Sequence, residues 1–252
     1  MAARSFLGAG DIFIDRLVDG VRQGMIGPIK ANKLEIQPQV ETKESTSKGR
    51  YDYGQVLESV NLAQPTQFTL ELKEVTGDIL VMAFLGTSAA LNQASGSLTA
   101  KEVTISKIGR WHELGAKNLE QLQAVTDEAG TGTFVEGTDY ELNRPLGWIR
   151  ALEGGDIEAA DKIKVTGSYK AATGSVIKGS TRTEVRARIV FDGINQADGT
   201  QCTADIFEAV LAADSAFDFL ADDFGNVSLT GNLKTPTGKD APYEITVQDP
   251  VA

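Results

Sequence analysis

At 252 residues and 26.9 kDa, the chain is long enough to bury one hydrophobic core, or one core with a smaller inserted unit. Its 41% hydrophobic and 23% charged residues are typical of a soluble protein, and its longest apolar run, Ile79 to Leu85, is too short to span a bilayer. The N-terminal stretch "MAARSFLGAGDIF" lacks the apolar segment of a secretory signal, so we expect an intracellular protein without a membrane partner.

The net charge of −11 is concentrated at the C-terminal end. Residues 181–252 hold five basic and twelve acidic side chains, and no basic residue occurs between Arg188 and Lys234. A surface of this kind repels phosphate, which disfavours tight binding to nucleic acid. An acidic surface also suits a channel through which DNA slides without sticking, although an acidic soluble protein needs no channel.

Strand patterns dominate from the N-terminus to Lys73. "DIFIDRL" places Ile12 and Ile14 on one face, and "ANKLEIQPQVE" places Leu34, Ile36 and Val40 on one face together with Pro38. Because proline lacks a ladder donor, this second strand is predicted at a sheet edge or at a bulge. The clearest alternation is "TQFTLELKEV", which predicts that Phe68, Leu70 and Leu72 point into the core.

One helix is predicted over residues 76–85. Thr76 can cap it, Asp78 lies in its first turn, and Gly86 is expected to end it. Its side chains are apolar almost all round, so the helix is expected to be buried against the sheet.

The remaining chain reads as further strands. Residues 98–179 carry short strands separated by glycine-rich turns, and predict a small inserted β-rich domain. "AATGSVIKGSTRTE" is interpreted as a flexible return, after which "TEVRARIVFDG" places Val185, Ala187, Ile189 and Phe191 on one face. The predicted class is mainly β, a sandwich or barrel with a core domain of residues 1–97 and 180–252.

Little in the sequence indicates chemistry. The lone Cys202 excludes an internal disulfide, and the lone His112 would have to serve any Ser–His–Asp or Cys–His site. We interpret Cys202 as a small core residue and His112 as a partly exposed strand residue, because no nucleophile motif accompanies either. No catalytic site, no metal site and no cofactor are predicted.

An acidic cluster near the C-terminus raises the possibility of calcium binding. Its carboxylates are hard oxygen ligands, but their spacing does not match a calcium-binding loop, and Phe217 and Phe219 alternate as core residues do. We therefore favour a solvated acidic turn. The cluster comprises Asp214, Asp218, Asp222 and Asp223.

The order of these segments resembles a known family. "VETKESTSKGRYDYGQVLESVNLAQPTQFTLELKEVTGDILVMAFLG", from Val40 to Gly86, is similar to the first half of bacteriophage tail tube proteins, also called major tail proteins. "RIVFDGINQADGTQC" and "FDFLADDFGNVSLTGNL" resemble that family's closing strands, with an F-x-G-x-N turn at Phe191, Gly193 and Asn195. Residues 125–157 resemble a β-rich module of such tail proteins. The resemblance lies in the order of these segments along the chain and in their patterns of polar and apolar residues.

The resemblance implies a structural virion protein that is made in the host bacterial cytoplasm and forms the tail. Hexameric rings of this chain would stack into a hollow tube that conducts DNA into the host, without sequence-specific binding. Further partners would be the tail tip or baseplate initiator, the tape measure protein and the tail terminator. A non-contractile tail is favoured, with residues 98–179 outside the tube, because a decorated wall would obstruct a sheath.

Two groups of residues are expected to serve the tube. The polar arm at about 41–55 is expected to be disordered or loosely held in the monomer and to reach the next ring. Acidic residues of the first strands, Asp15 and Glu71, are candidates for the lumen. The stacking candidates in the arm are Lys43, Glu44, Lys48, Arg50, Tyr51 and Tyr53.

Two other classes stay open at this point. A type VI secretion-like tube protein shares the ring architecture, but such proteins are compact, and the inserted domain argues against this class. A carbohydrate-binding β-sandwich module would expose a row of aromatic side chains, whereas aromatic residues are 7% of the chain, and Trp111 and Trp148 form no obvious platform in the sequence.

Overall fold

The computed structural model describes residues 5–212, 217–222 and 225–248. The mainly β part of the predicted class is confirmed, since 59% of the chain is strand, the sheets are antiparallel and one short helix is present among these residues. The elements are β1 Gly8–Val18, β2 Val21–Ile29, β3 Ala31–Thr46, β4 Val56–Leu72, α1 Gly77–Ala83, β5 Thr87–Gln93, β6 Gly96–Thr104, β7 His112–Glu113, β8 Leu119–Asp127, β9 Tyr140–Asn143, β10 Trp148–Ala151, β11 Lys162–Tyr169, β12 Ala172–Lys178, β13 Val185–Asn195, β14 Gln201–Ala212, β15 Val227–Leu233 and β16 Tyr243–Val247.

The chain divides into two compact units. Unit 1 comprises residues 1–88 and 177–252, and unit 2 comprises residues 89–176. The predicted boundaries at 97/98 and 179/180 lie nine and three residues later. The difference arises because β5 and β12 pair with each other as a two-stranded sheet, and the division falls within these two strands. The prediction of a flexible return is wrong over Ala172–Lys178. These residues form β12, and their backbone groups pair with β5.

Unit 1 is built on one sheet in the order β2-β1-β13-β14-β15-β4-β3, with β16 paired to the first half of β14. β2 and β3 lie at the two ends of this order, yet Lys30 alone separates them in the chain. The sheet must therefore curl so that its ends approach each other, and the inner faces of β1 and β4 share one core. The edge position predicted for β3 from Pro38 is confirmed, and a register shift between Gln37 and Gln39 accompanies the proline.

The core of unit 1 follows the strand alternation. Phe68, Leu70 and Leu72 are buried as predicted, because alternate side chains of a strand point to opposite faces of the sheet. Other strands contribute further buried residues to the same cluster; these are Ile12, Ile14, Ile29, Val185, Ala187, Ile189, Ile206, Ala209, Leu211, Val227, Leu229 and Leu233.

The helix is confirmed at its start and corrected at its end. The Thr76 side chain accepts a hydrogen bond of 3.4 Å from the Ile79 amide, and Ile79 and Met82 join the core. The left-handed residue after the helix is Leu85, with φ 46°, whereas Gly86 is not left-handed. Gly86 is needed for a different reason: a Cβ there would lie 2.6 Å from the Lys178 carbonyl oxygen.

The segment predicted as an F-x-G-x-N turn is instead the end of a strand. Phe191 and Gly193 lie within β13, and Gly193 faces Gly10 across the ladder. Asn195 is buried, and its side chain accepts hydrogen bonds from the Leu7 and Ala197 amides. Asn195 therefore begins the turn.

Unit 2 has its own core. Two three-stranded sheets, β6-β11-β8 and β7-β10-β9, surround a separate cluster of buried residues that includes Ile105, Val125, Ile149, Ile163 and Val165.

Within the described ranges, no helix has the length and apolar character needed to cross a membrane.

Candidate functional site: the hairpin arm and the polar face

The predicted arm is an ordered β-hairpin. Here "arm" means residues 40–63: the outer parts of β3 and β4 and the loop between them. The two strands pair from Val40 opposite Ala63 to Thr46 opposite Val56, with one register shift between Ser45 and Thr46. The expectation of a disordered or loosely held arm is therefore wrong. Its polar side chains bury little, but a hairpin that extends an existing strand pair satisfies its backbone groups across the ladder.

The arm has free edges and free faces. β15 pairs with β4 only from Gln67 to Leu72, and β3 ends the sheet, so neither edge of the arm is paired in the described part of the chain. Aliphatic side chains are exposed along it, including Val40 at 62% and Leu57 at 64%. A two-stranded hairpin is marginally stable in water by itself, and an exposed edge is a template for pairing. Such a ribbon is typical of a segment that a partner covers.

The end of the arm is a fixed loop of residues 47–55, called the tip loop below. Ser47 is buried at its base, where its amide donates to the Gln55 carbonyl and its carbonyl accepts from the Gly54 amide, each at 2.8 Å. Its hydroxyl also accepts from the Gly49 amide at 3.0 Å. Sequence reasoning missed Ser47, since a serine in a polar stretch gives no signal.

The tip loop presents four of the six predicted stacking residues to solvent. Tyr51 is 93% exposed and Tyr53 is 78% exposed. Lys48 and Arg50 are also exposed, and neither forms an ion pair with a carboxylate of the described residues. The loop is therefore a small cationic and aromatic surface.

The other two predicted stacking residues lie on the stem of the arm. Lys43 is 3.8 Å from Glu41, and Glu44 lies opposite Ser59 in the neighbouring strand. Because successive side chains of a strand alternate, Lys43 and Glu44 point to opposite faces of the arm. They do not belong to the same surface as the tip loop.

The outer side of β3, β4 and β15 is a face without large hydrophobic side chains. Backbone register aligns its residues in three rows across the strands. Two acids and one base leave it with a net charge of −1, and the base, Lys33, pairs with Glu35 at 2.9 Å. We call this set of residues the polar face. Its first row is Gln37, Gln67 and Asn232, its second row is Glu35, Thr69 and Thr230, and its third row is Lys33, Glu71 and Ser228.

Of the two predicted lumen acids, Glu71 lies on the polar face and is half-buried. Asp15 is only 4% exposed, which argues against a place on the wall of an aqueous channel, and its assignment to the lumen stays a prediction. Its carboxylate accepts hydrogen bonds from the Gln23 and Gly24 amides at 3.0 and 2.9 Å, and Arg22 lies 3.3 Å away. Asp15 therefore holds β2 against β1 where their register shifts.

Ion pairs cover the outer side of β13 and β14 near Asp15. Arg188 donates to Asp205 from two nitrogens, with the Nε contact at 2.8 Å, and this hydrogen bonding raises the pKa of Arg188. Glu208 is buried between Arg186 at 3.3 Å and Lys234 at 3.5 Å. These carboxylates are paired with cations, so this side of the sheet offers less free negative charge than the sequence suggests.

Two members of the predicted acidic cluster, Asp214 and Asp223, lie outside the described residues. The described piece, residues 217–222, is called the acidic loop below. Phe217 packs against the core as predicted, whereas Phe219 is 73% exposed and stacks on Phe84 with ring centroids 6.1 Å apart. Asp218 accepts a hydrogen bond of 2.8 Å from the Leu220 amide. Within the described ranges, no group of three or more His, Cys, Asp or Glu residues is placed to hold a metal ion.

The contacts of His112 and the burial of Cys202 do not indicate a reactive side chain at either position. The His112 Nε2 atom accepts from the Ser106 amide at 3.0 Å and lies 2.9 Å from the Ser106 hydroxyl. Its Nδ1 atom is buried without a hydrogen-bond partner in the described chain, so no carboxylate completes a triad. Burial raises the pKa of the Cys202 thiol, which disfavours a reactive thiolate.

The two tryptophans share one face of unit 2. Trp148 lies opposite both Glu113 and Asn143, and the same register brings Trp111 beside Arg150, whose guanidinium lies 4.7 Å from the indole centroid. Alternation places these side chains on the side of the sheet away from buried Ile149. Strand pairing therefore brings Trp111 and Trp148, which are far apart in the sequence, to one face, and the interpretation that they form no platform stays a prediction.

The part of the chain that the structure describes is thus a mainly β protein of two compact units with an extended hairpin arm. A family model described as "Protein of unknown function UCP028589" matches residues 5–243, and the chain belongs to this family. No curated protein matches the chain significantly. The family description names no activity, ligand or partner.

Proposed function

We propose that this protein is a structural subunit of a bacteriophage tail tube, in which hexameric rings of the chain stack around a path for DNA. The observation that carries the proposal is the arm: a preformed hairpin with two unpaired edges, exposed aliphatic side chains and a cationic and aromatic tip. A segment built in this way has surfaces to bury in an assembly.

The polar face supports the same proposal. DNA that must move through a tube needs a wall that neither neutralises phosphates nor stacks on bases. The polar face has amide, hydroxyl and carboxylate groups, no aromatic side chain, and one lysine that is paired. We assign this face, including Glu71, to the lumen. The type VI secretion-like alternative would use the same surfaces for a protein cargo.

The separate core of unit 2 is compatible with a decoration on the outside of the tube, because unit 2 does not contribute to the sheet of unit 1. The initiator, the tape measure protein, the terminator and a non-contractile tail remain parts of this proposal that come from the family resemblance.

Sedimentation of an arm variant tests the proposal. Replacing residues 42–61 by Asn-Gly joins Glu41 to Leu62, which face each other in the ladder. The full chain is expected to form large particles as its concentration rises, and the shortened chain to stay small while still unfolding cooperatively on heating. Equal sedimentation of both proteins would refute a role of the arm in assembly.

A second candidate function, glycan binding, is favoured by the tryptophan face of unit 2. Indole rings stack on the apolar faces of sugar rings, while fixed polar groups orient sugar hydroxyls. Trp111 is 36% exposed beside Arg150, which Glu141 holds through a 2.9 Å hydrogen bond. Binding to a glycan array that Trp111→Ala abolishes would support this function, whereas equal binding of both proteins would exclude it at this face.

A further inference from the structure

The most exposed hydrophobic side chains of the molecule lie in two loops. Among the large hydrophobic residues described, the four highest exposed fractions are Tyr51 at 93%, Leu220 at 90%, Tyr53 at 78% and Phe219 at 73%. The first and third belong to the tip loop, and the other two belong to the acidic loop. Single exposed apolar residues are ordinary, but a pair at such exposure in each of two loops indicates two contact surfaces.

The charges of the two loops are opposite. The tip loop carries Lys48 and Arg50 against one acid, Asp52, while the acidic loop carries Asp218 and Asp222 and no base. In the described chain neither cation of the tip loop has a carboxylate partner. Opposite charges around apolar contacts favour encounter and fix orientation. The two loops are therefore complementary in charge as well as in hydrophobic character.

The two loops lie at opposite ends of β4. The tip loop precedes Val56, the first residue of the strand. The acidic loop lies near the other end, because β15, which follows it, begins with Val227 opposite Leu72. Phe219 also contacts Phe84, just after the helix that follows β4. A strand of 17 residues spans about 55 Å at 3.3 Å per residue. The loops cannot meet within one copy.

We propose that the acidic loop is the docking site for the tip loop of a second copy of this chain. Tyr51 and Tyr53 would join the ring cluster of Phe84, Phe217 and Phe219, where the last two rings already meet at 4.8 Å. Lys48 and Arg50 would approach Asp222 at the rim. Because different surfaces of the two copies meet, the contact is heterologous and repeats along a stack. This inference rests on the proposed tube function, for which it identifies the acceptor of the arm.

Cysteine cross-linking tests the contact. Tyr51→Cys and Phe219→Cys are made in separate full-length chains, mixed, oxidised and compared with each variant alone. A docked pair raises the local thiol concentration, so the mixture should form disulfide-linked dimers about tenfold faster than either variant alone. Tyr51→Cys mixed with Val21→Cys is the matched control, because Val21 is 63% exposed but lies outside both loops. Asp222→Cys replaces Phe219→Cys if loss of the ring weakens docking.

Electron microscopy of the unsubstituted full-length chain, which keeps Tyr51 and Phe219, separates the two proposals when it is read together with the cross-linking. Tubes together with selective cross-linking support both. Tubes with cross-linking no faster than the Val21→Cys control overturn the docking site and leave the tube proposal standing. Selective cross-linking without tubes supports the docking site and overturns the tube proposal. Neither tubes nor selective cross-linking overturns both.

Discussion

Thr42 donates a 2.8 Å hydrogen bond to Asn61 from across the hairpin, well outside the body of the sheet. Side chains that pair in this way belong to an arm that is formed before any partner binds. Amide hydrogen exchange of the dilute protein should therefore show protection at alternate residues of 41–46 and 57–62, whose amides bond across the hairpin, whereas a disordered arm would exchange at once at every residue. Exchange at unstructured rates throughout the arm would contradict this account.

Asp15 is expected to be a stability residue. Asp15→Ala removes the acceptor of two β2 amides and the partner of Arg22, so the free energy of unfolding should fall by about 2–3 kcal/mol. Asp11→Ala is the matched control, since it removes only a surface pair with Lys30 and should cost about 0–1 kcal/mol. Urea titration measures both, and equal effects would show that Asp15 has no special role.

Reversing the acids of the polar face should create affinity for DNA. Glu35→Lys with Glu71→Lys changes the net charge of the face from −1 to +3, because each reversal adds two charges. The double variant should retain duplex DNA at low salt and release it as salt rises. Glu102→Lys with Glu153→Lys makes the same change in unit 2 and is the control. If this control binds DNA equally well, total charge rather than the polar face explains the effect.

Asp139 should make the stability of unit 2 sensitive to acid. Hydrogen bonds from the Val135 and Asp156 amides, at 2.7 and 3.0 Å, lower the pKa of Asp139 from its usual value of 3.8. A carboxylate with a lowered folded-state pKa stabilises the fold above pH 3.8, and this contribution is lost as the pH falls through the folded pKa. Thermal unfolding of Asp139→Asn should therefore lose part of this acid dependence. An unchanged pH profile would contradict the assignment.

Unit 1 should fold without unit 2. Replacing residues 94–171 by Asn-Gly closes the β5 and β12 pair as a hairpin and leaves every residue of the unit 1 core in place. The shortened protein should unfold cooperatively and should still assemble, if the arm and the polar face drive assembly. Loss of cooperative unfolding would show that the two units depend on each other.

Much of the fold was predictable because strand alternation and caps are local signals. Phe68, Leu70 and Leu72 are buried as their spacing predicts, and Thr76 caps the helix. Composition did not predict that the arm is an ordered hairpin, because the arm is held by backbone pairing between β3 and β4 rather than by buried side chains. The burial of Asp15 was not predictable either, since the amides that donate to its carboxylate lie on the next strand. Phe219 follows a core pattern in sequence and lies exposed.

Negative-stain electron microscopy of the concentrated full-length protein, over a range of salt concentrations, tests the central claim most directly. The account predicts six-fold rings or tubes with an open centre, and their loss when residues 42–61 are replaced by Asn-Gly. Small particles without a central opening at every concentration and salt, with or without the arm, would contradict it.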